Sequence, residues 1–333
     1  MDVLSDVLGA VRLTGALFFD VDASSPWVIE TPKMDTVGYM ILPEVENVIA
    51  FHVIMDGESW VEVHDGVTPA VRVKAGDVLV FARGDAHTFS SIRGQRAADP
   101  GPEMYRRPPD HRLPFSVHSG GGGPERARLI CGYLGYDATP FNPLIAALPA
   151  MIYAPGPAAE ASWVAQLLRL AVDETGTRRA GGETVLAKLS ELMFVEIVRR
   201  YIDGLPEDSP GWLSGLRDRH VGAALSLMHG RPAEPWTLGS LAREIGMSRT
   251  TFAERFTQYV GDSPMHYLGR WRLQVAAGLL ERQGMNIAQA AAEVGYESEA
   301  AFNRAFKKEV GVPPGAWRRG RAAPASTGSS ALV

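Results

Sequence analysis

The chain predicts an α+β protein: a β-rich N-terminal half, a helical stretch, and an all-α C-terminal half of two helix-turn-helix subdomains. Three observations predict it. Short β-branched runs crowd the first half, the stretch from Leu241 to Trp317 states one pattern twice, and charge divides unevenly between the halves. From Leu213 to Val333 there are 15 Lys and Arg against 10 Asp and Glu, whereas the rest of the chain holds 18 against 28. A basic module on an acidic protein points to an anionic partner, which the whole-chain charge of −5 conceals.

In the N-terminal half, 48–54, 59–63, 70–73, 78–81 and 129–134 read as strands bounded by Gly, Asp and Pro. Asp56-Gly57 and Asp65-Gly66 are turn signals between them. Many short strands before any long helix argue for a sandwich or small barrel. Residues 93–124, rich in Gly, Pro and Arg, read as a mobile loop inserted between strands. From 141 to 204 the pattern turns helical, and 184–202 sets Val185, Leu189, Leu192, Met193 and Ile197 on helical spacing.

In the repeat, Leu241, Ala242 and Ile245 match Ala291 and Val294, with Gly246 and Gly295 as turns. Phe252, Phe256, Gly261, Pro264 and Tyr267 then recur 50 residues later as Phe302, Phe306, Gly311, Pro314 and Trp317. Thr237, Ser248 and Asn286 are suited to N-caps, and Gly at the turn accepts a positive φ. Each copy is a helix, a turn and a second helix, and the N-terminal turns of such a second helix reach base edges in a major groove.

The expected organisation is 1–140 β-rich domain, 141–204 helical layer, 205–212 hinge, 213–320 double helix-turn-helix and 321–333 disordered tail; the family resemblances of these segments imply a sensor for the first and a DNA reader for the fourth. No run of about 18 apolar residues and no basic-then-apolar leader is present, so a membrane partner is not expected. One cysteine, Cys131, precludes an internal disulfide and suits a reducing cytoplasm.

The stretch from Gly295 through Phe302, Phe306, Gly311 and Pro314 to Trp317 closely resembles the signature of AraC/XylS-type transcription regulators, over roughly 215–320. The resemblance implies two subdomains joined by one long helix, here 264–281, with Trp271, Leu273, Val275, Ala276 and Leu280 on its buried side. It implies Arg249, Thr250, Ala253 and Glu254 as the first base-reading set, and Glu299, Ala300, Asn303 and Arg304 as the second. Arg304 is the strongest of these, because Arg against guanine is the commonest specific contact. Lys307, Lys308, Arg318 and Arg319 are expected at phosphates. Expected partners are double-stranded DNA, a second copy joined through the helical layer, and RNA polymerase if the protein activates.

Gly76-Asp77 through Gly84 to His87 resembles the second motif of the cupin barrel, with Phe51-His52 through Gly57 in the place of the first. The chain departs from metal-binding cupins: Ile54 stands where a second His is usual, and Ala82 where a Pro is. Three readings of His52, His87 and Cys131 stay open: hydrogen-bonded interior groups, contacts to a small-molecule or redox effector, or a metal site completed by Cys131, His64 or His118. Trp60 and Phe89 are placed in the same effector cavity. No cofactor is expected. The competing class is a cupin-type dioxygenase or isomerase fused to a reader.

Overall fold

The computed structural model describes residues 2–10, 13–42, 45, 47–98, 115–136, 140–156, 180–206, 209–282 and 284–322, with a few between 166 and 174. The expected tail from 323 and the centre of the 93–124 stretch lie outside the described residues. The chain forms two compact units. One comprises residues 12–137 and 148–204; the other comprises 205–333 together with 1–11 and 138–147.

The first unit is two sheets. Strands β1 (Leu13–Ser24), β3 (Asn47–Asp56), β6 (Val78–Phe81), β8 (Phe115–Gly120), β9 (Arg126–Tyr136) and β10 (Ile152–Ala154) form one, in the order β10-β6-β3-β9-β1-β8. Strands β2 (Val28–Thr31), β4 (Glu58–Val63), β5 (Val71–Lys74) and β7 (His87–Ser90) form the other, in the order β2-β7-β4-β5. Pairing is antiparallel except between β1 and β8. Alternation decides the faces: in β4 Ser59, Val61 and Val63 are buried while Trp60 and Glu62 turn away.

The Gly76-Asp77 corner opens β6 as its motif suggests. The Asp77 carboxylate, fully buried, accepts from the Lys74 amide (2.9 Å), the Gly156 amide (2.7 Å) and the Tyr153 hydroxyl (3.0 Å). Those bonds fasten β10 beside β6, so residues 152–154, expected to be helical, are a strand. Likewise β8 lies inside the stretch read as one loop; it pairs with β1, more than 90 residues earlier in sequence, which no local pattern announces. Helix α2 (Met34–Ile41) belongs to this unit. The amphipathic helix spans Gly182–Asp203 and packs on β1, β9 and β10 through Leu186, Leu189, Met193, Phe194 and Ile197. It leaves Val185 and Leu192 exposed.

The second unit is helical. In chain order its elements are α1 (Val3–Ala10), α3 (Pro143–Ala147), α5 (Trp212–Arg217), α6 (Arg219–Gly230), α7 (Leu238–Glu244), α8 (Arg249–Val260), α9 (Pro264–Arg282), α10 (Ile287–Glu293), α11 (Glu299–Val310) and α12 (Pro314–Ala322); α4 is the Gly182–Asp203 helix of the first unit. The N-caps of the repeat recur in both copies. Thr237 and Asn286 form capping boxes with Ser240 and Gln289, and Ser248 and Ser298 accept from the amides of Thr251 and Ala301 (3.2 Å each). Each such cap contributes about 1 kcal/mol. Gly246 and Gly295 turn with φ of 70° and 82°, and Gly261 and Gly311 end α8 and α11 at 74° and 87°. Phe252, Phe256, Phe302 and Phe306 are fully buried. Trp271, Leu273, Ala276 and Leu280 form the buried side of α9; Val275 is half-buried and packs against the same core.

Two pieces from outside the reader sequence complete this unit. Val3 and Val7 bury α1 against α3, α6 and α9. Phe141 packs its ring on Tyr267 (5.4 Å) under the Arg270 guanidinium (4.1 Å), and its amide donates to Gln274 Oε1 (2.9 Å).

Candidate nucleic-acid interface and barrel cavity

The two second helices, α8 and α11, bury their Phe pairs and turn the opposite face outward. Arg249, Thr250 and Glu254 are exposed and Ala253 half-buried on α8; Glu299, Ala300 and Arg304 are exposed and Asn303 half-buried on α11. The Phe spacing and the Ser caps therefore set which residues are presented. Lys307, Lys308 and Arg319 are exposed as well. Arg318 is tied down: its Nη1 donates to the Met285 carbonyl (3.0 Å), so it braces the loop before α10.

A positioning pair went unread in the sequence. Asp218 caps α6 by accepting from the His220 and Val221 amides (3.1 and 2.9 Å) and receives the Arg255 guanidinium from α8. Burial alone would raise the Asp218 pKa, but Arg255 and the two amides outweigh it and hold the carboxyl below its usual range. The recognition helix of the first copy is thereby fixed to α6. The Asp at a helix start is a legible cap; its partner, 37 residues on, is not.

Between the two sheets lies a cavity lined by Phe19, Val21 and Val117, by Ile29 and Thr31, by His52, Phe89 and Leu129, and by Cys131 and Tyr133. Register explains the lining: Phe19, Cys131 and His52 stand opposite one another across β1, β9 and β3, on one face of the sheet. The structure brings His52, Phe89 and Cys131 together; the β1 and β2 residues of the lining were not among the candidates, because those strands carry no recognised sequence pattern. Trp60 is a correction. It sits on the outer face of β4, under Arg93 (5.4 Å), beside a separate polar cleft.

His52 and His87 meet, Nε2 to Nε2, at 2.8 Å. His87 is stacked on Phe81 (3.6 Å, 5°), and its Nδ1 is 2.8 Å from the Asp85 carbonyl. Burial and the neighbouring His87 push the pKa of His52 well below the usual range; burial pushes His87 down to about 3. Burial, with Asp20 adding to it, pushes Cys131 up to about 12, so its sulfur stays a thiol and lacks the thiolate that oxidants attack.

The other metal candidates are elsewhere. His64 is 2.6 Å from the Thr88 hydroxyl, and His118 is exposed on β8. Among the described residues no group of three or more His, Cys, Asp or Glu is gathered as a metal would require. His52, His87 and Cys131 therefore do not make a closed ligand set. Among the described residues no helix is long and apolar enough to cross a membrane.

A cupin-type two-sheet unit and a doubled helix-turn-helix together define a DNA-binding regulator. A family model described as a cupin matches residues 2–203, and one described as a helix-turn-helix domain matches 241–320. A putative AraC-like transcription regulator of Streptomyces lividans is 30% identical over 320 residues, covering 96% of this chain and 98% of that protein. The HTH-type transcriptional regulator AlkR of Acinetobacter baylyi is 28% identical over 338 residues, with coverage of 96% and 99%. Among solved structures, the DNA-binding domain of AdpA in complex with a target DNA is 27% identical, covering 33% of this chain and 99% of that one, at a TM-score of 0.31. The chain belongs to the AraC-type family of transcription regulators, with a cupin N-terminal domain.

Proposed function

We propose that the protein is a one-component switch: a signal taken up by the cupin unit alters how the doubled reader engages DNA. The observation that carries the DNA half is the pair of Ser-capped helices whose N-terminal halves expose the face opposite the Phe pair and, on α11, carry Arg304 there. We assign Arg249, Thr250, Ala253, Glu254, Glu299, Ala300, Asn303 and Arg304 to base edges, and Lys307, Lys308 and Arg319 to phosphates. Two major-groove elements one helical turn apart, about 34 Å, are the expected operator.

Arg304→Ala is expected to weaken operator binding about 5- to 150-fold and to relax specificity at one position. Lys307→Ala with Lys308→Ala is expected to weaken binding to all sequences alike and to flatten its salt dependence. Sequencing the genomic fragments retained by wild type and by each variant separates the two. Retention of the same sites in unchanged rank by Arg304→Ala would count against the assignment.

The signal has a covalent route. β1 and β9 line the cavity and are paired as far as Leu13 and Tyr136. Just beyond those ends the chain passes into α1 and into the Phe141–α3 segment, both packed on the first reader subdomain. A ligand that shifts the β1–β9 pair therefore pulls on both segments, provided it binds the two states with different affinity. At the contact, Asp6 of α1 faces His229 at 3.9 Å, and His229 Nε2 lies 2.9 Å from the Tyr267 hydroxyl. Val7→Asp should release α1 and speed amide exchange in α6 and α9. Unchanged exchange there would exclude this route.

The exposed Val185 and Leu192 of α4 suit a second copy, and we assign the dimer contact to that helix. Sedimentation of Leu192→Glu tests it: a protein still dimeric removes the assignment. We assign no catalytic step to the cupin unit, since the relatives named above are regulators. Stoichiometric iron, manganese or zinc in the purified protein, with turnover, would favour the enzyme reading. RNA polymerase becomes a partner if the operator lies where an activator sits.

A further inference from the structure

We propose that Arg270 is the positioning residue that fixes the angle between α8 and α11, and that Phe141 of the 138–147 segment acts on the second reader through it. The proposal rests on the reading of α8 and α11 as the helices that meet two operator elements, and names the joint that sets one against the other.

Three groups converge on the Arg270 guanidinium, which stands in the first half of α9, between the two copies of the motif. The first is Asp262, directly after the Gly261 that ends α8; its Oδ2 lies 3.8 Å from Arg270 Nη1. The second is Glu309 in the last turn of α11, whose Oε1 accepts from Arg270 Nε at 2.5 Å. The third is the ring of Phe141, at 4.1 Å. One cation therefore joins the C-terminal ends of both helices to a ring from the segment that follows β9 in sequence.

This joint is no part of the repeated motif. Fifty residues on, Asp262 and Arg270 become Val312 and Gly320, and Glu309 answers to Tyr259 in the first copy. Each copy closes its own core with Phe252, Phe256 and Tyr267, or with Phe302, Phe306 and Trp317, and needs none of these charges to do so. The ion pair is also more than a solvated surface contact. Only 33% of the Arg270 side chain and 23% of that of Glu309 are exposed, and an aromatic face covers the cation.

Phe141 is itself fastened one turn to either side of Arg270: its amide donates to Gln274 Oε1 (2.9 Å) and its ring packs on Tyr267 (5.4 Å). A displacement of the 138–147 segment along α9 changes the cover on the guanidinium, and with it the hold on Glu309. α11 then turns relative to α8 while both Phe cores stay closed.

The test uses full-length protein and the operator recovered by genomic selection, in its native form and with one base pair inserted between the two elements. The insertion rotates the second element by roughly 35° about the DNA axis. Wild type is expected to discriminate against it. A loosened joint lets α11 follow the rotation, so Arg270→Ala should shrink the ratio of the two affinities about two- to tenfold. Glu309→Ala should do the same, and the double variant no more than either alone, because the two residues act as a pair. Arg270→Lys keeps the charge and should restore part of the ratio. Phe141→Leu keeps the apolar cover without the aromatic face and should shrink it. A ratio measured on one preparation cancels the fraction folded, so a variant that is merely less stable leaves it unmoved. An unchanged ratio in Arg270→Ala, or additive losses in the double variant, would overturn the joint. An unchanged ratio in Phe141→Leu would overturn the role of the 138–147 segment. A wild type that recovers no two-element sites, or is indifferent to the insertion, removes the two-element reading itself.

Discussion

Phe306→Ala is expected to cost about 3–5 kcal/mol and to unfold the second reader subdomain before the rest of its unit. The ring is fully buried, 5.6 Å from both Phe302 and Trp317, in a cluster closed by Leu273, Leu280 and Val294. Its removal opens a space that flanking alanines, Ala276, Ala290 and Ala291, are too short to fill. Specific operator binding should disappear with it, because α11 is oriented by that ring. Phe256→Ala is the matched change in the first copy, where Phe252 and Tyr267 surround the ring at 5.7 Å each. Urea unfolding followed by Trp fluorescence measures both. A loss below about 1 kcal/mol in Phe306→Ala would mean that the cluster does not anchor α11.

Acidification from pH 7 to pH 5 is expected to remove about 2 kcal/mol from the helical unit and more than that from the two-sheet unit. The cause is buried neutral histidines: His52 and His87 in the two-sheet unit and His229 in the helical one, with His87 and His229 pushed down to about 3 by burial. The sign follows from proton counting. Below about 6.5 the unfolded chain takes up a proton on each ring and the folded chain does not, so protons favour unfolding. The stability is complete above the unfolded pKa and is lost progressively as pH falls toward 3. Unfolding curves at pH 7, 6 and 5 should show the loss, and His229→Phe should flatten it in the helical unit alone. A stability unchanged between pH 7 and pH 5 would refute the burial of neutral rings.

The reader was legible because its determinants are local. A Ser or Asn at a helix start, a Gly with positive φ at its end and a Phe every fourth residue act within a few positions, and all recur at Ser248, Gly261 and Phe252 and again at Ser298, Gly311 and Phe302. The Gly76–His87 motif was legible for the same reason. The face of Trp60 was also readable, since it shares alternation with Glu62, opposite Val61 and Val63. β1, β8 and β10 were not legible, because their pairing with β9, β1 and β6 is decided far along the chain. The same holds for the cavity: His52 and His87 were candidates in sequence, but the two rings meet only once β3 and β7 are brought together.

The capture of residues 1–11 and 138–147 by the helical unit bears on how this protein can be cut and recombined. A fragment starting at Leu205 would carry every helix of the doubled motif, yet it would leave Tyr267, Gln274 and Arg270 without Phe141, and His229 without Asp6. Such a fragment exposes apolar and buried polar groups that the intact chain keeps covered. A chimera spliced at that point would pair a reader with a foreign first helix and a foreign 138–147 segment. The cassette that can be exchanged intact is discontinuous in sequence, and swaps that respect all three pieces are the ones that should yield soluble, responsive hybrids.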